Sequence, residues 1–348
     1  MRASDALLDR WTGRTTPGAA YVHFRRDSVL HERYTGLADV GSGRPVDART
    51  SFHGFSVTKT MTALAVVQLA QARRIDLDEL VRTYLPSMPY GGDIRVRHLL
   101  THTAGLPNPL PLSWVHPPDE PLDGGAFFAG IFTRHPRTRW APGERFAYSN
   151  LGYVLLGQLI EQVTGKRYEE HITEAIFRPA GITGDELTFT HPPAAVHATG
   201  YLRTPSLLSL VLPFMVRTDR LFAERTGRWR AFRPFLVNGT AYGGSIGTAT
   251  GYRKYLQALM TDDLLLSHEW RDALFAGNRT NSGATTGMAM AWFTGRTQGA
   301  AYVAHAGGGG GYYTELRIYP ELGRGSVALF NRTGVKDERL LNELDEVR

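Results

Sequence analysis

Gly54-Phe55-Ser56-Val57-Thr58-Lys59 runs into Met61 to Ala72, a largely apolar stretch with no glycine and no proline. That pattern predicts a helix with a wide buried face. Ser56 and Lys59 stand three residues apart at its start, so a helix brings hydroxyl and amine to one side. A serine hydroxyl attacks poorly until a base takes its proton. A lysine serves as that base when burial and neighbouring positive charge hold its pKa down. Amides at the start of a helix also donate to a developing oxyanion. A capping serine with a surface lysine one turn on fits the same four residues. Only four lysines occur, Lys59, Lys166, Lys254 and Lys336, which makes the pairing an uncommon coincidence.

Two further segments supply partners. Tyr148-Ser149-Asn150 follows Pro142-Gly143-Glu144-Arg145-Phe146-Ala147 and precedes a helical pattern from Leu151 to Val163, with Gly165 as its stop. A tyrosine near cations can carry a proton to a leaving group, and Asn150 can hydrogen-bond a substrate carbonyl. A buried tyrosine beside a helix-capping asparagine is the better reading of this segment taken alone. His305-Ala306-Gly307, with Gly308 to Gly311 after it, lies on or just beyond a strand. Glycine admits close approach of a backbone, so an N–H there can complete an oxyanion hole with that of Ser56. A glycine-rich hairpin loop is the plainer alternative.

Around these motifs, residues 20–35 read as an antiparallel hairpin turning at Arg25-Arg26-Asp27. Residues 85–145 are rich in proline and glycine, 203–240 read as a long irregular insertion, and Gly251 to Met260 as a helix. Met288 to Phe293, Tyr302 to Ala304, Tyr313 to Tyr319 and Ser326 to Phe330 read as strands, and Leu340 to Val347 as a closing helix. Strands at both ends with helices between predict one sheet built from both termini around a helical insert.

In order and spacing the three motifs resemble those of the serine β-lactamase-like, penicillin-binding-protein superfamily: class C β-lactamases, D,D-peptidases and β-lactamase-like esterases. Those proteins carry Ser-x-x-Lys, then Tyr-x-Asn, then Lys-Thr-Gly or His-x-Gly. Ile94-Arg95-Val96-Arg97-His98-Leu99-Leu100-Thr101-His102-Thr103-Ala104-Gly105-Leu106-Pro107 and Phe146 to Tyr153 are similar to further family segments, and the resemblance covers roughly residues 15–335. It implies an α/β (α+β) sandwich, an antiparallel sheet flanked by helices with a mostly helical inserted domain. The sheet domain would comprise 1–60 and 240–348, the insert 61–239. It further implies Ser56 as acylated nucleophile, Lys59 and Tyr148 as the proton-transfer pair, with either as base in a given step. Asn150, His305 and Gly307 would meet substrate, and the Ser56 and Gly308 amides the oxyanion. His305 and Ala306 depart from the lysine and hydroxyl residue of penicillin-cleaving members. The expectation is therefore a carboxylesterase on small uncharged esters, with β-lactamase, D,D-carboxypeptidase or D-amino-acid amidase activity at the same site as alternatives. A catalytically inactive peptidoglycan-binding or scaffold protein is the alternative from another class.

A second serine competes. Gly243-Gly244-Ser245-Ile246-Gly247 matches Gly-x-Ser-x-Gly, and Asp262, Asp263 and His305 follow in the Ser-Asp-His order of α/β-hydrolases. No clear strand precedes Ser245 and no βα series lies upstream, so the motif lacks its context. His98 and His102 are four apart, but the His-Glu-x-x-His pattern is absent and no third ligand suggests itself. A structural role is expected for both, with no metal and no cofactor.

Composition agrees with a large globular core: 348 residues, 42% hydrophobic and 21% charged. With no cysteine, disulfides and thiol chemistry are excluded. The formal charge of +6 is carried almost wholly by arginines scattered among acids, which predicts a solvated basic surface and not a nucleic-acid stripe. No run reaches the length of a membrane span, and acids occupy the N-terminus where a signal peptide is apolar. A cytoplasmic protein is expected, although a chain trimmed of its leader would read the same. Leu207 to Met215 is almost wholly apolar and is followed by Arg217, Arg220, Arg225, Arg228, Arg230 and Arg233. It reads as a core segment with a basic edge, or as a flap shaping substrate access. Peripheral membrane contact through 205–235 is a further option. The partner expected is a small-molecule ester or amide.

Overall fold

The computed structural model describes residues 3–120, 122–206, 209, 218–335 and 340–345. Its centre is a six-stranded antiparallel sheet. β1 (Ala19–Arg25) and β2 (Val29–Thr35) come from the N-terminal part. β3 (Phe293–Thr297), β4 (Ala300–Gly309), β5 (Tyr312–Tyr319) and β6 (Arg324–Phe330) come from the C-terminal part. The order across the sheet is β3-β4-β5-β6-β1-β2. Both ends of the chain thus meet in the middle, with Ala19 opposite Phe330 and Arg25 opposite Arg324.

Period-two alternation explains the sandwich. In β1, Ala20, Val22 and Phe24 point into the main core, while Ala19 and Tyr21 point to the other face. In β6, Val327 and Leu329 join the first set, Ala328 and Phe330 the second. The second face is covered by helix α1 (Ala3–Trp11) and by Leu340, Leu341 and Leu344. The first face packs α2 (Thr58–Gln71), α3 (Asn150–Thr164) and α4 (Ala249–Met260) into one cluster. Helix ends match their sequence signals. Gly165 closes α3 in the left-handed region at φ 72°, and the Thr248 hydroxyl caps α4 by accepting from Gly251 N at 3.1 Å.

Four expectations are corrected. Helix α2 is buried on all sides from Thr58 to Val67, not on one wide face, because it runs through the core. Met288 to Trp292 is not a strand. Its apolar side chains are buried, but its backbone bonds to the ends of two separate helices, Met290 N to Leu274 O and Ala291 N to Leu100 O, and Ala291 has φ 66°. An apolar run alone does not separate a strand from a buried loop. The strand expected at Tyr302–Ala304 extends to Gly309, so the glycine run lies in the sheet, with Gly307 opposite Thr314. The insertion is not irregular throughout. Tyr201–Arg203, Phe222–Thr226 and Trp229–Phe232 form a three-stranded sheet. Residues 207–215, apart from Ser209, lie outside the described residues, and so do the last residues of the expected closing helix, of which Leu341–Leu344 is helical. Among the described residues no helix is long and apolar enough to cross a membrane.

Candidate active site

Phe52–His53 pairs with Ile246–Gly247 in a small sheet, and the chain then turns at Gly54. A Cβ on Gly54 would come within 2.2 Å of the Tyr252 hydroxyl and 2.5 Å of Ser245 Oγ, so only glycine passes here. Phe55 follows in the left-handed region at φ 49°, unusual for a bulky residue. A 3-10 turn, Phe55–Val57, then carries Ser56 onto the front of α2. Ser56 is partly exposed, while Lys59, one turn on, is fully buried.

Lys59 Nζ lies 3.1 Å from Ser56 Oγ and donates to the Tyr242 carbonyl at 2.7 Å. The rings of Tyr148, Tyr153 and Tyr242 surround it, with centres 5.0, 5.6 and 5.2 Å away. Among the described residues no carboxylate compensates it. Burial therefore pushes its pKa well below the ordinary lysine value. Burial does this alone, not the neighbouring positive charge expected from the sequence. A neutral amine has a lone pair and can take a proton from Ser56.

His102 holds Tyr148 through contacts that the sequence did not disclose, among them a bond from Ala147 N to the His102 carbonyl at 2.8 Å. His102 stacks on its ring at 4.2 Å, and His102 Nδ1 accepts from Ser149 N at 3.1 Å, fixing the segment on both sides of the tyrosine. The Ser149 hydroxyl caps α3 by accepting from Gly152 N and itself donates to the Pro107 carbonyl at 2.8 Å. Asn150 is the first residue of α3, and its Oδ1 is buried with no partner. A buried acceptor left open on the cleft that Ser56 lines can receive a ligand N–H.

His98 and His102, four apart, do different things. His98 Nδ1 accepts from Arg95 N at the start of the helix Val96–Leu100, whereas His102 lies beyond that helix at φ 54° under Tyr148.

β4 brings up the opposite wall. A Cβ on Gly307 would lie 2.0 Å from Gly54 O and 2.7 Å from Ser56 N, so the strand docks against the nucleophile turn because that side chain is absent. Gly308, next along, is exposed and lines the same cleft as Ser56. His305 is fully buried and hydrogen-bonds the Ala291 carbonyl through Nδ1. Burial first, then the nearby Lys59, drives its pKa down to about 3, so the imidazole is neutral. Ser56, Asn150, Tyr242 and Gly308 open onto a cleft of about 460 Å³ whose other walls are mainly apolar, among them Leu112, Phe232 and Phe235. A larger concavity of about 950 Å³ lies behind the Thr240–Gly244 wall and contains none of these groups.

Ser245 has no such setting. It is fully buried, its N donates to Thr58 Oγ1 at 3.0 Å, and its Oγ lies 2.8 Å from Thr58 Oγ1 and 3.1 Å from the Tyr252 hydroxyl. His305 is occupied with Ala291, so no Ser-Asp-His set assembles around it.

An antiparallel sheet sandwich with Ser-x-x-Lys at the head of a buried helix, a tyrosine opposite and a glycine strand edge defines the serine hydrolases of the penicillin-recognising type. The chain belongs to the beta-lactamase family, whose model matches residues 4–347. It is 27% identical over 310 residues to Penicillin-binding protein 4* of Bacillus subtilis (strain 168), a match covering 87% of this chain and 66% of that protein. This chain therefore spans about two thirds of that relative. The octameric penicillin-binding protein homologue from Pyrococcus abyssi superposes with a TM-score of 0.76 at 24% identity, covering 98% of this chain and 75% of the other. D-amino acid amidase from Ochrobactrum anthropi SV3 superposes with 0.77 at 23% identity, covering 98% and 93%. These two likenesses establish the fold.

Proposed function

We propose that the protein cleaves esters through an acyl-enzyme on Ser56, and that it prefers substrates with no charge beside the scissile carbonyl. The observation that carries this reading is the buried, uncompensated Lys59 amine 3.1 Å from Ser56 Oγ. Neutral Lys59 takes the hydroxyl proton as Oγ bonds to the carbonyl carbon. The carbonyl oxygen, gaining the electron pair, faces the N–H groups of Ser56 and Gly308. Tyr148, whose ring lies 5.0 Å from Lys59 Nζ, passes a proton to the leaving alcohol as its bond to carbon breaks. Water then attacks the acyl carbon, its proton moves to the same pair, and Ser56 is restored. Asn150 Oδ1 receives a donor on the substrate, and the Gly307 backbone keeps β4 against the turn.

The ester preference rests on the third motif. Penicillins and cell-wall peptides place a carboxylate near the reacting carbonyl. Here the matching positions offer a neutral imidazole whose Nδ1 is already used, and Ala306, which has no polar side chain. Leaving that carboxylate without a partner costs roughly 1–3 kcal/mol, and a neutral ester escapes this cost. The competing reading, a β-lactam or D-amino-acid amide cleaved at the same serine, draws on the names of the relatives above. Two measurements test the proposal. A fluorophosphonate followed by peptide mass spectrometry should modify Ser56, and no labelling would favour an inactive binding protein. Specificity constants should rank a short para-nitrophenyl ester above a chromogenic cephalosporin and a D-alanyl amide. The reverse order would remove the ester preference while leaving the Ser56 chemistry in place.

A further inference from the structure

Arg332 follows β6 and lines the same cleft as Ser56, yet it is only 8% exposed. Its Nη1 donates to the Trp11 carbonyl at 2.5 Å and its Nε to the Thr333 carbonyl at 3.3 Å. Its guanidinium carbon lies 4.7 Å from the Trp229 ring centre and 5.7 Å from that of Trp11. Among the described residues no carboxylate pairs with it, and Nη2 has no partner. Burial, with Arg203 nearby, lowers its pKa to about 10, so it still carries its charge at neutral pH. A buried cation normally has a counter-ion, since one left alone is costly. The Trp11 carbonyl ends helix α1 and offers partial compensation only.

Its position specifies what could supply the missing charge. Gly308 pairs with Tyr313 and Tyr313 with Phe330, and Arg332 is two residues further on. Two strand spacings and two residues of rise place its backbone about 12 Å from that of Gly308. An arginine side chain bridges only part of that separation, so a substrate that reaches both needs several carbons between its carbonyl and its anion. The direction is equally informative. Tyr148, which serves the leaving group, lies towards His305, the ring centres being 6.4 Å apart. The cleft extends the other way, past Gly308–Gly311 and between Phe232 and Phe235. On the Ser56 esterase reading the acyl portion would occupy that end.

We propose that Arg332 is an anion-binding end to the acyl pocket, and that the favoured substrates are esters whose acyl chain is apolar and ends in a carboxylate. A half-ester of a medium-chain dicarboxylic acid has this form. The inference rests on the Ser56 esterase reading and adds a substrate class to it. Arg332 acts here in specificity and touches no reacting atom.

The test compares mono-para-nitrophenyl adipate with para-nitrophenyl hexanoate, which match in acyl length and differ in the terminal charge. On the wild-type protein the half-ester should have the higher kcat/KM, by about tenfold or more for one charge-assisted contact. Added salt should shrink that ratio through the adipate KM. Arg332→Met, which keeps much of the packing against the tryptophans, should bring the ratio to one or below. Arg332→Lys should fall between, since it keeps the charge and loses the planar fork. Equal constants for the two esters in the wild type would overturn the inference and leave the esterase reading intact, and this arm needs no variant to fold. A preference that survives in Arg332→Met would place the anion site elsewhere and also overturn it. Turnover of neither ester, with Ser56 unlabelled by fluorophosphonate, would bring down the underlying reading.

Discussion

Ser56 and Ser245 are neighbours in space, joined through Gly54, whose N donates to the Ser245 carbonyl at 2.8 Å. Each sits in a recognisable nucleophile motif, yet their surroundings are opposite. Ser56 is partly exposed at the mouth of a cleft and faces a buried amine. Ser245 is sealed among hydroxyls, bonded to Thr58 and close to Tyr252. Attack needs access and a base together, and a tetrapeptide or pentapeptide pattern contains neither. Ser245 instead ties the strand before α2 to the start of α4, holding the turn on which Ser56 is presented.

The comparison is sharpest where the effect is largest. Lys59→Met and Tyr148→Phe should each lower kcat/KM for a neutral ester by about three orders of magnitude or more, and the double variant should lose little beyond the worse single one. Steady-state kinetics of the four proteins reads this. Independent, multiplicative losses would mean that one of the two is wrongly placed beside Ser56.

Gly307→Ala tests the opposite wall. The added methyl meets backbone at 2.0 Å, so β4 must move off the Ser56 turn, and with it the Gly308 amide. A loss of about 10²- to 10³-fold in kcat is expected, comparable to removing one oxyanion donor. Retained kcat would show that the Gly308 amide is not part of the reaction.

Four buried histidines surround the turn that carries Ser56. His102 and His305 flank Tyr148 beside Ser56, and His53 and His197 pack behind Phe55, all four with pKa values lowered by burial. His197 and His305 fall to about 3 from 6.5. Between those values the unfolded chain binds protons that the folded chain refuses. Stability is therefore whole above about pH 6.5 and declines as the pH falls, by up to about 1.4 kcal/mol per histidine per pH unit. Melting temperatures followed from pH 7 downward should drop steadily through that window. A flat profile would mean that these imidazoles are solvated.

Ser245→Ala should have the smallest effect on chemistry. It leaves the buried Tyr252 hydroxyl without its Ser245 partner, whereas Thr58 keeps Phe55 O and Ser245 N; a cost of about 1–3 kcal/mol in denaturant unfolding is expected, while ester turnover and fluorophosphonate labelling persist. Loss of labelling in this variant, with a wild-type melting curve, would reverse the roles of the two serines.

Much of this molecule was legible in its residues. Short-range rules carry α3 from Leu151 to Gly165, α4 to Met260, the first hairpin, and the strands at Tyr313 and Ser326, because periodicity and turn residues act within a few positions, whereas the cap of α3 is Ser149 and not the expected Asn150. The three motifs were visible as patterns, and their order pointed to the family. Other features depend on contacts between distant segments. The Met288–Trp292 run is a buried loop because Leu274 and Leu100 take its backbone bonds. Lys59 loses proton affinity because it is buried, in part under Tyr242, which lies 183 positions away. His102 was expected to be structural, but only the folded chain lays it under Tyr148. Arg332 reads as one arginine among many until burial without a carboxylate sets it apart. Sequence by itself determined which segments bear nucleophile, amine and phenol. Tertiary structure decided which serine is accessible, what lowers the pKa of the amine beside it, and where a buried cation lines the cleft, because desolvation and pairing are properties of three-dimensional surroundings.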